Sequence, residues 1–323
     1  MSTLTIPDPL PTPEEDSQKL NKAFKGWGTD EKSIIEILGH RTAAQRREIR
    51  DAYARLFNQT LVDSLRSELS GDFGRAVVLW ALDPAERDAI LAHEVLKKKG
   101  YRHMCVIVEI ACASPPDHLI SVRQAYSSLF NSSLEEDIID YSTGHHSLTQ
   151  LLVRLVSSYR YDGMYLNEDL VDSDADDLYN AIKMGQQEPP IGLINILSTR
   201  SIHHLKASFH RYQQKANGKS IYEDIEGNKN YDHELKSIMK CVVCCIASPE
   251  KHFVEVVRNS IVGLGTDEDS LTRAIVTRAE IDLKNIKEEY KIRYKTTVNA
   301  DVIGDTSGDY KNFLLTLVGS AEP

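Results

Sequence analysis

A pair of residues twelve apart recurs along this 323-residue chain, and such repetition constrains a fold more than any single motif does. Arg41 and Tyr53, Arg200 and Tyr212, and Arg278 and Tyr290 share the spacing, and Ser114 and Tyr126 keep it with the arginine lost. Fifteen residues beyond three of these tyrosines stand Glu68, Tyr141 and Asp305, while Asn228 follows Tyr212 by sixteen. The chain therefore reads as four units of about 70 residues, each too small to be comfortably stable alone, so the four should pack against one another.

Each unit reads as helices. Ile49, Ala52, Tyr53, Leu56 and Phe57 fall at i, i+3, i+4, i+7 and i+8, one apolar stripe along a helix. No segment sustains the period-two alternation bounded by turns that marks a half-buried strand. The predicted class is all-α.

Two units carry a second signature. Gly26-Trp27-Gly28-Thr29-Asp30-Glu31 recurs as Gly263-Leu264-Gly265-Thr266-Asp267-Glu268, and 42 residues after each first glycine stands an acid, Glu68 or Asp305. Glycines can turn loop carbonyls outward, and a hard cation needs several oxygens at close range. Three carbonyls and one bidentate carboxylate supply about five of the six to eight oxygens that calcium takes. Water or a phosphate oxygen would complete the shell, so an anionic partner is expected. Thr29 and Thr266 read as helix N-caps, with acids following that suit the helix dipole. The corresponding loops of the other two units, around Gly100 and Gly185, have decayed, and their distant acids have gone with them. Loop and acid survive or disappear together, which argues that they serve one function.

The formal charge of −10 argues against attraction to nucleic acid or to an anionic membrane by the protein's own field. Lys97-Lys98-Lys99 with Arg102 is the one dense cationic run, and it reads as a solvated helix end. Calcium would have to reverse the local sign. No apolar run approaches the length of a membrane span, and residues 1–13 show no leader, so the expected location is the cytosol. Five cysteines, an odd count without a disulfide-framework spacing, agree with a reducing compartment. Cys241 and Cys244 form a CxxC inside the apolar run 238–247, where cysteine usually serves as a small buried hydrophobe.

These residues resemble the annexin family, and the Gly26 to Glu31 loop with a short proline-bearing N-terminus is most similar to its plant members. The resemblance runs from about Pro13 to Gly319. It implies a curved disc of four annexin repeats of about five helices each, with residues 1–12 as a tail and repeats at 13–84, 85–160, 161–247 and 248–323. It also implies calcium as the ligand and reversible binding to acidic phospholipid at plasma membrane or endomembranes, with self-association on membranes left open and no nucleic acid partner. Carried over by residue, the first site takes the carbonyls of Phe24, Gly26 and Gly28 with the Glu68 carboxylate. The fourth takes those of Ile261, Gly263 and Gly265 with Asp305. Thr29 with Glu31, and Thr266 with Glu268, resemble weaker accessory sites. Trp27 and Leu264, between the glycines, are candidate membrane contacts, since tryptophan favours the headgroup boundary. The alternative for Trp27 is folding back on its own repeat.

Other readings come with the same resemblance. Asp88, Glu109 and Arg273 match a charged group on the family's central axis, either an ion path or, as favoured here, a buried polar network. His40 matches a histidine linked with peroxidase activity in plant annexins, but a peroxidase needs an enclosed pocket with distal acid-base groups, and a hydrogen-bonded histidine at a helix end is the commoner situation. Cys112 with Cys244 or Cys245 resembles a pair proposed as redox-active. The segment 304–311 lacks the Walker A pattern. Adjacent pairs His145-His146 and His203-His204 point in different directions on a helix, make poor joint ligands and read as surface residues. No EF-hand loop is present. A non-enzymatic binding protein is expected.

Overall fold

The computed structural model describes residues 1–26, 28–98, 100–141, 146–184, 187–263 and 265–320, with the side chains of 101 and 102 left aside. The described residues form twenty α-helices and no strand. The first five are α1 (Pro13–Phe24), α2 (Glu31–Leu38), α3 (Ala43–Phe57), α4 (Leu61–Glu68) and α5 (Gly71–Ala81). Next come α6 (Pro84–Lys97), a 3-10 turn (Tyr101–Met104), α7 (Cys105–Cys112), α8 (Pro116–Phe130), α9 (Leu134–Tyr141) and α10 (His146–Ser157). A ten-residue connector leads to α11 (Glu168–Lys183), α12 (Ile191–Thr199), α13 (Ile202–Lys215), α14 (Ile221–Gly227) and α15 (His233–Ala247). The last are α16 (Pro249–Ile261), α17 (Glu268–Arg278), α18 (Leu283–Tyr294), α19 (Val298–Asp305) and α20 (Gly308–Val318).

Local chemistry sets many of these ends. Thr12 and Glu15 close a capping box at α1, as do Thr42 and Gln45 at α3 and Ser220 and Glu223 at α14, each satisfying two otherwise unpaired amides. Five residues past each repeated tyrosine the backbone turns left-handed, at Asn58, Asn131, Asn217 and Lys295, with φ between 52° and 57°. Asparagine tolerates this conformation, whereas lysine bears its strain. Lys295→Asn is therefore expected to stabilise the protein by about 0.5–1 kcal/mol, read as a higher midpoint in chemical denaturation.

The repeated tyrosines are structural. Tyr53, Tyr126, Tyr212 and Tyr290 are buried, and their hydroxyls reach Ser64 (3.1 Å), Asp137 (2.5 Å), Asp224 (2.8 Å) and Asp301 (2.6 Å). Each bond ties a long helix to the short one that follows it, α3 to α4, α8 to α9, α13 to α14 and α18 to α19. Burial and these carboxylates raise the phenol pKa of Tyr126, Tyr212 and Tyr290, so all three remain donors at neutral pH.

The repeated arginines are structural as well. Arg41 grips Asp16 of α1 with two bonds (2.7 and 2.9 Å), and Arg200 grips Asp174 of α11 likewise (2.5 and 3.1 Å). His204, one turn on, shares Asp174 at 2.8 Å. Where the arginine is Ser114, the equivalent acid Asp88 takes Nε2 of His118 at 2.7 Å, from the position that matches His204. In the last set the acid's place is held by Phe253, so Arg278 stacks on that ring at 4.6 Å and pairs with Asp282.

The helices segregate into two compact units, residues 1–87 with 250–323, and residues 88–249. In the first, α5 packs on α17 and α20, and Trp80 donates its indole N–H to Leu38 O at 2.7 Å. The Arg46 guanidinium lies 3.6 Å over Trp80 and binds Glu280 at 2.9 Å. Burial brings its pKa down to about 10. The N-terminal segment joins this unit through Thr3, whose amide and hydroxyl meet the carbonyls of Ala279 (3.0 Å) and Leu317 (2.5 Å). In the second unit α7 packs along α15, and α11 along α13.

Candidate metal centres

The first glycine loop spans the gap between α1 and α2. Its closure is a backbone bond from Asp30 N–H to Ala23 O at 3.0 Å. Gly28 has φ 93°, a left-handed value that favours glycine. At Gly26 a Cβ would lie 3.1 Å from the Gly28 carbonyl oxygen, a tight contact that a larger residue would relieve only by shifting the loop. Phe24, the last residue of α1, sets its ring edge-on to Tyr53 at 6.2 Å, which fixes where the loop departs. Gly26, Gly28 and Glu68 are all exposed.

The fourth loop repeats this construction. Asp267 N–H meets Ser260 O at 2.8 Å, and Gly265 has φ 91°. Ile261 ends α16 and is buried, while Gly263 and Gly265 are exposed.

The distant acids arrive at these loops through helix ends. Glu68 is the final residue of α4 and Asp305 the final residue of α19. The Thr29 hydroxyl lies 3.4 Å from the Glu68 carbonyl and 3.5 Å from its carboxylate. That of Thr266 donates to the Asp305 carboxylate at 2.6 Å and lies 3.1 Å from its carbonyl. This corrects the expectation for the threonines as N-caps. The caps are Asp30 and Asp267, whose carboxylates accept the amides of Ser33 (3.0 Å) and Ser270 (3.1 Å). A carboxylate caps as well as a hydroxyl, and shifting the cap by one residue turns each threonine across to the distant acid. Trp27 and Leu264 lie outside the described residues.

Glu31 and Glu68 line a hollow of about 300 Å³ together with Asp72 and Asp309. These last two escaped the sequence reading. A signal was present, because Ser70-Gly71-Asp72-Phe73 and Ser307-Gly308-Asp309-Tyr310 begin two residues after each site acid. The second copy lies in the segment read against Walker A, and here it starts α20. Glu268 begins α17, half-buried, and its carbonyl accepts the Tyr310 hydroxyl at 3.2 Å.

The decayed units show what replaces an acid. Gly100 keeps a left-handed φ of 99°, but Tyr141 ends α9 where Glu68 ends α4, and its hydroxyl oxygen accepts the Gly100 amide. In the third unit Asn228 donates its side-chain amide to Ile182 O at 3.2 Å, near the end of α11. Both are neutral groups that satisfy backbone from within the protein, at a loop in one case and at a helix end in the other. Gly185 and Gln186 lie outside the described residues, as do Lys99 and His145.

The remaining candidates have structural partners. His40 is half-buried after α2, and its Nδ1 meets Thr5 O at 2.8 Å. Asp88 and Glu109 are buried, Asp88 against His118 as above, and Arg273 lies half-buried in the other unit. His204 is buried on Asp174, so it is not the surface residue expected for that pair. All five cysteines are free thiols. Burial pushes the Cys112 thiol up to about 12. At pH 8 only roughly one molecule in ten thousand would carry that thiolate. Cys112 is therefore expected to resist iodoacetamide in the native protein and to react on unfolding, as read by peptide mass spectrometry.

The annexin family model matches residues 15–80 and 252–317, the two segments that carry both glycine loops and both acids. Annexin D3 of Arabidopsis thaliana is 48% identical, with 99% of each chain covered. Among solved structures, annexin III superposes with a TM-score of 0.91 at 30% identity, covering 99% of this chain and 98% of that one. A calcium-bound annexin (Sm)1 superposes at 0.84 with 27% identity, covering 99% and 93%.

Proposed function

Because the chain belongs to the annexin family, whose general property is calcium-dependent phospholipid binding, we propose that it binds acidic phospholipid membranes reversibly through calcium at its first and fourth repeats. The observation that carries this reading is the paired approach of Thr29 to Glu68 and of Thr266 to Asp305, which sets a carboxylate against a glycine loop twice. The donor set fits the ion, since only oxygens are offered and the loop glycines and Glu68 are exposed. Phe24, Gly26, Gly28 and Glu68 would hold calcium at the first site, and Ile261, Gly263, Gly265 and Asp305 at the fourth, with Thr29, Glu31, Thr266 and Glu268 as accessory donors. Bound calcium supplies the positive charge that a chain of net charge −10 otherwise lacks toward an anionic headgroup.

The protein's own part is to hold carbonyls and carboxylate in register while leaving ligand positions open. Lipid phosphate filling those positions would raise calcium affinity, and calcium would raise lipid affinity by the same factor. Trp27 and Leu264 would then meet the headgroup boundary. The reading makes the chain a binding protein rather than an enzyme, with repeats at 13–84, 85–160, 161–247 and 248–323. It would reside in the cytosol until calcium rises. Co-sedimentation with phosphatidylserine vesicles across a calcium titration tests it. Retention that rises with calcium, reverses with chelator and fails on phosphatidylcholine is expected; retention indifferent to calcium overturns the proposal.

A further inference from the structure

The two glycine loops are alike in construction and unlike at their rims. In the register that pairs Gly26 with Gly263 and Glu68 with Asp305, Lys25 corresponds to Val262 and Arg66 to Ile303. All four residues are exposed. A lone exposed aliphatic side chain is ordinary on a protein surface. Val262 and Ile303 are a pair, each 55% exposed, and each flanks a proposed calcium ligand: Val262 stands between Ile261 and Gly263, and Ile303 two residues before Asp305. They hold the positions at which the first loop carries cations. The Lys25 ammonium lies 5.9 Å over the Phe57 ring and Arg66 meets Asp63 at 3.7 Å, exposed contacts that withdraw neither charge from solvent.

The two kinds of side chain answer to different properties of a membrane. A cation gains from the negative surface potential of acidic lipid, and that gain decays within a Debye length, about 10 Å at 0.1 M salt. An aliphatic side chain gains by leaving water at the boundary of headgroup and acyl chain, and added salt does not screen that gain. A lipid surface is the occupant that fits both rims, because each borders a loop whose calcium would itself take lipid phosphate.

Resting on the calcium reading above, we propose that the two loops grip an acidic membrane by different forces at their flanks, the first through the charges of Lys25 and Arg66, the fourth through apolar contact of Val262 and Ile303 with the headgroup boundary. Retention on mixed phosphatidylserine and phosphatidylcholine vesicles tests it, at a calcium concentration that retains both single-site variants and in about 50 and about 500 mM potassium chloride. Asp305→Asn leaves the first loop to act, and Glu68→Gln leaves the fourth. In the Asp305→Asn chain, Lys25→Gln/Arg66→Gln should weaken lipid affinity about tenfold at low salt and leave it nearly unchanged at high salt. In the Glu68→Gln chain, Val262→Ser/Ile303→Ser should weaken it about tenfold at both. The substituted rim residues are exposed, so thermal midpoints should match those of the single-site variants. The proposal alone is overturned if both losses depend equally on salt, or if Val262→Ser/Ile303→Ser costs nothing while retention still follows calcium. Parent retention that ignores calcium overturns the underlying calcium reading and the proposal with it.

Discussion

Replacing Glu68 with Gln and Asp305 with Asn in one chain is expected to abolish calcium-dependent retention on phosphatidylserine vesicles. Each single substitution should raise the calcium midpoint at least tenfold, equivalent to about 1.4 kcal/mol of lost affinity at that site. The amides keep size and shape but surrender the charge, and a neutral oxygen is a far poorer ligand for a hard dication than a bidentate carboxylate. Folding should be spared. Glu68 is exposed and Asp305 half-buried, and both stand at helix ends, where Thr29 and Thr266 can still bond to their backbone carbonyls. Thermal midpoints close to the parent's would show that lost retention is lost ligation. Retention equal to the parent's would place the calcium elsewhere.

The second large effect concerns stability. Asp16→Ala removes the partner of Arg41, a guanidinium 3% exposed and bound bidentately. The charge left behind cannot reach water, and breaking a buried pair from one side costs about 3–5 kcal/mol. Urea denaturation should show a midpoint lowered by that amount with an unchanged slope. A loss under 1 kcal/mol would mean that Arg41 finds another partner or swings to solvent. Asp88→Ala, by contrast, leaves a half-buried imidazole rather than a buried guanidinium without its partner, so its cost should be smaller.

Much of the architecture could be read from residue order. The tyrosine spacing marked a unit, and the structure explains why it persists: every one of the four hydroxyls ties a long helix to the short helix whose last turn reaches the acid position. The helices and the four sets of five were legible, and Thr29 stands beside Glu68 as Thr266 stands beside Asp305. The roles of the threonines were not. Whether Thr29 or Asp30 caps α2 depends on one residue of register in a loop with two permissive glycines, and local propensity does not resolve that.

Sequence alone determined the helical class, the repeat and which two of four loops keep a carboxylate, because these depend on residue type and spacing. Only the tertiary structure decided what the lost acids became. Tyr141 takes an amide of its loop and Asn228 a carbonyl near its own, and both choices depend on which backbone group lies nearest across some 40 residues. The same holds for the rescue of Asp88 by His118 and for the unforeseen Asp72 and Asp309 beside Glu68. Apart from Asp72 and Asp309, which a repeated Ser-Gly-Asp marks, the partners are distant in sequence and are selected by packing, which no local pattern encodes.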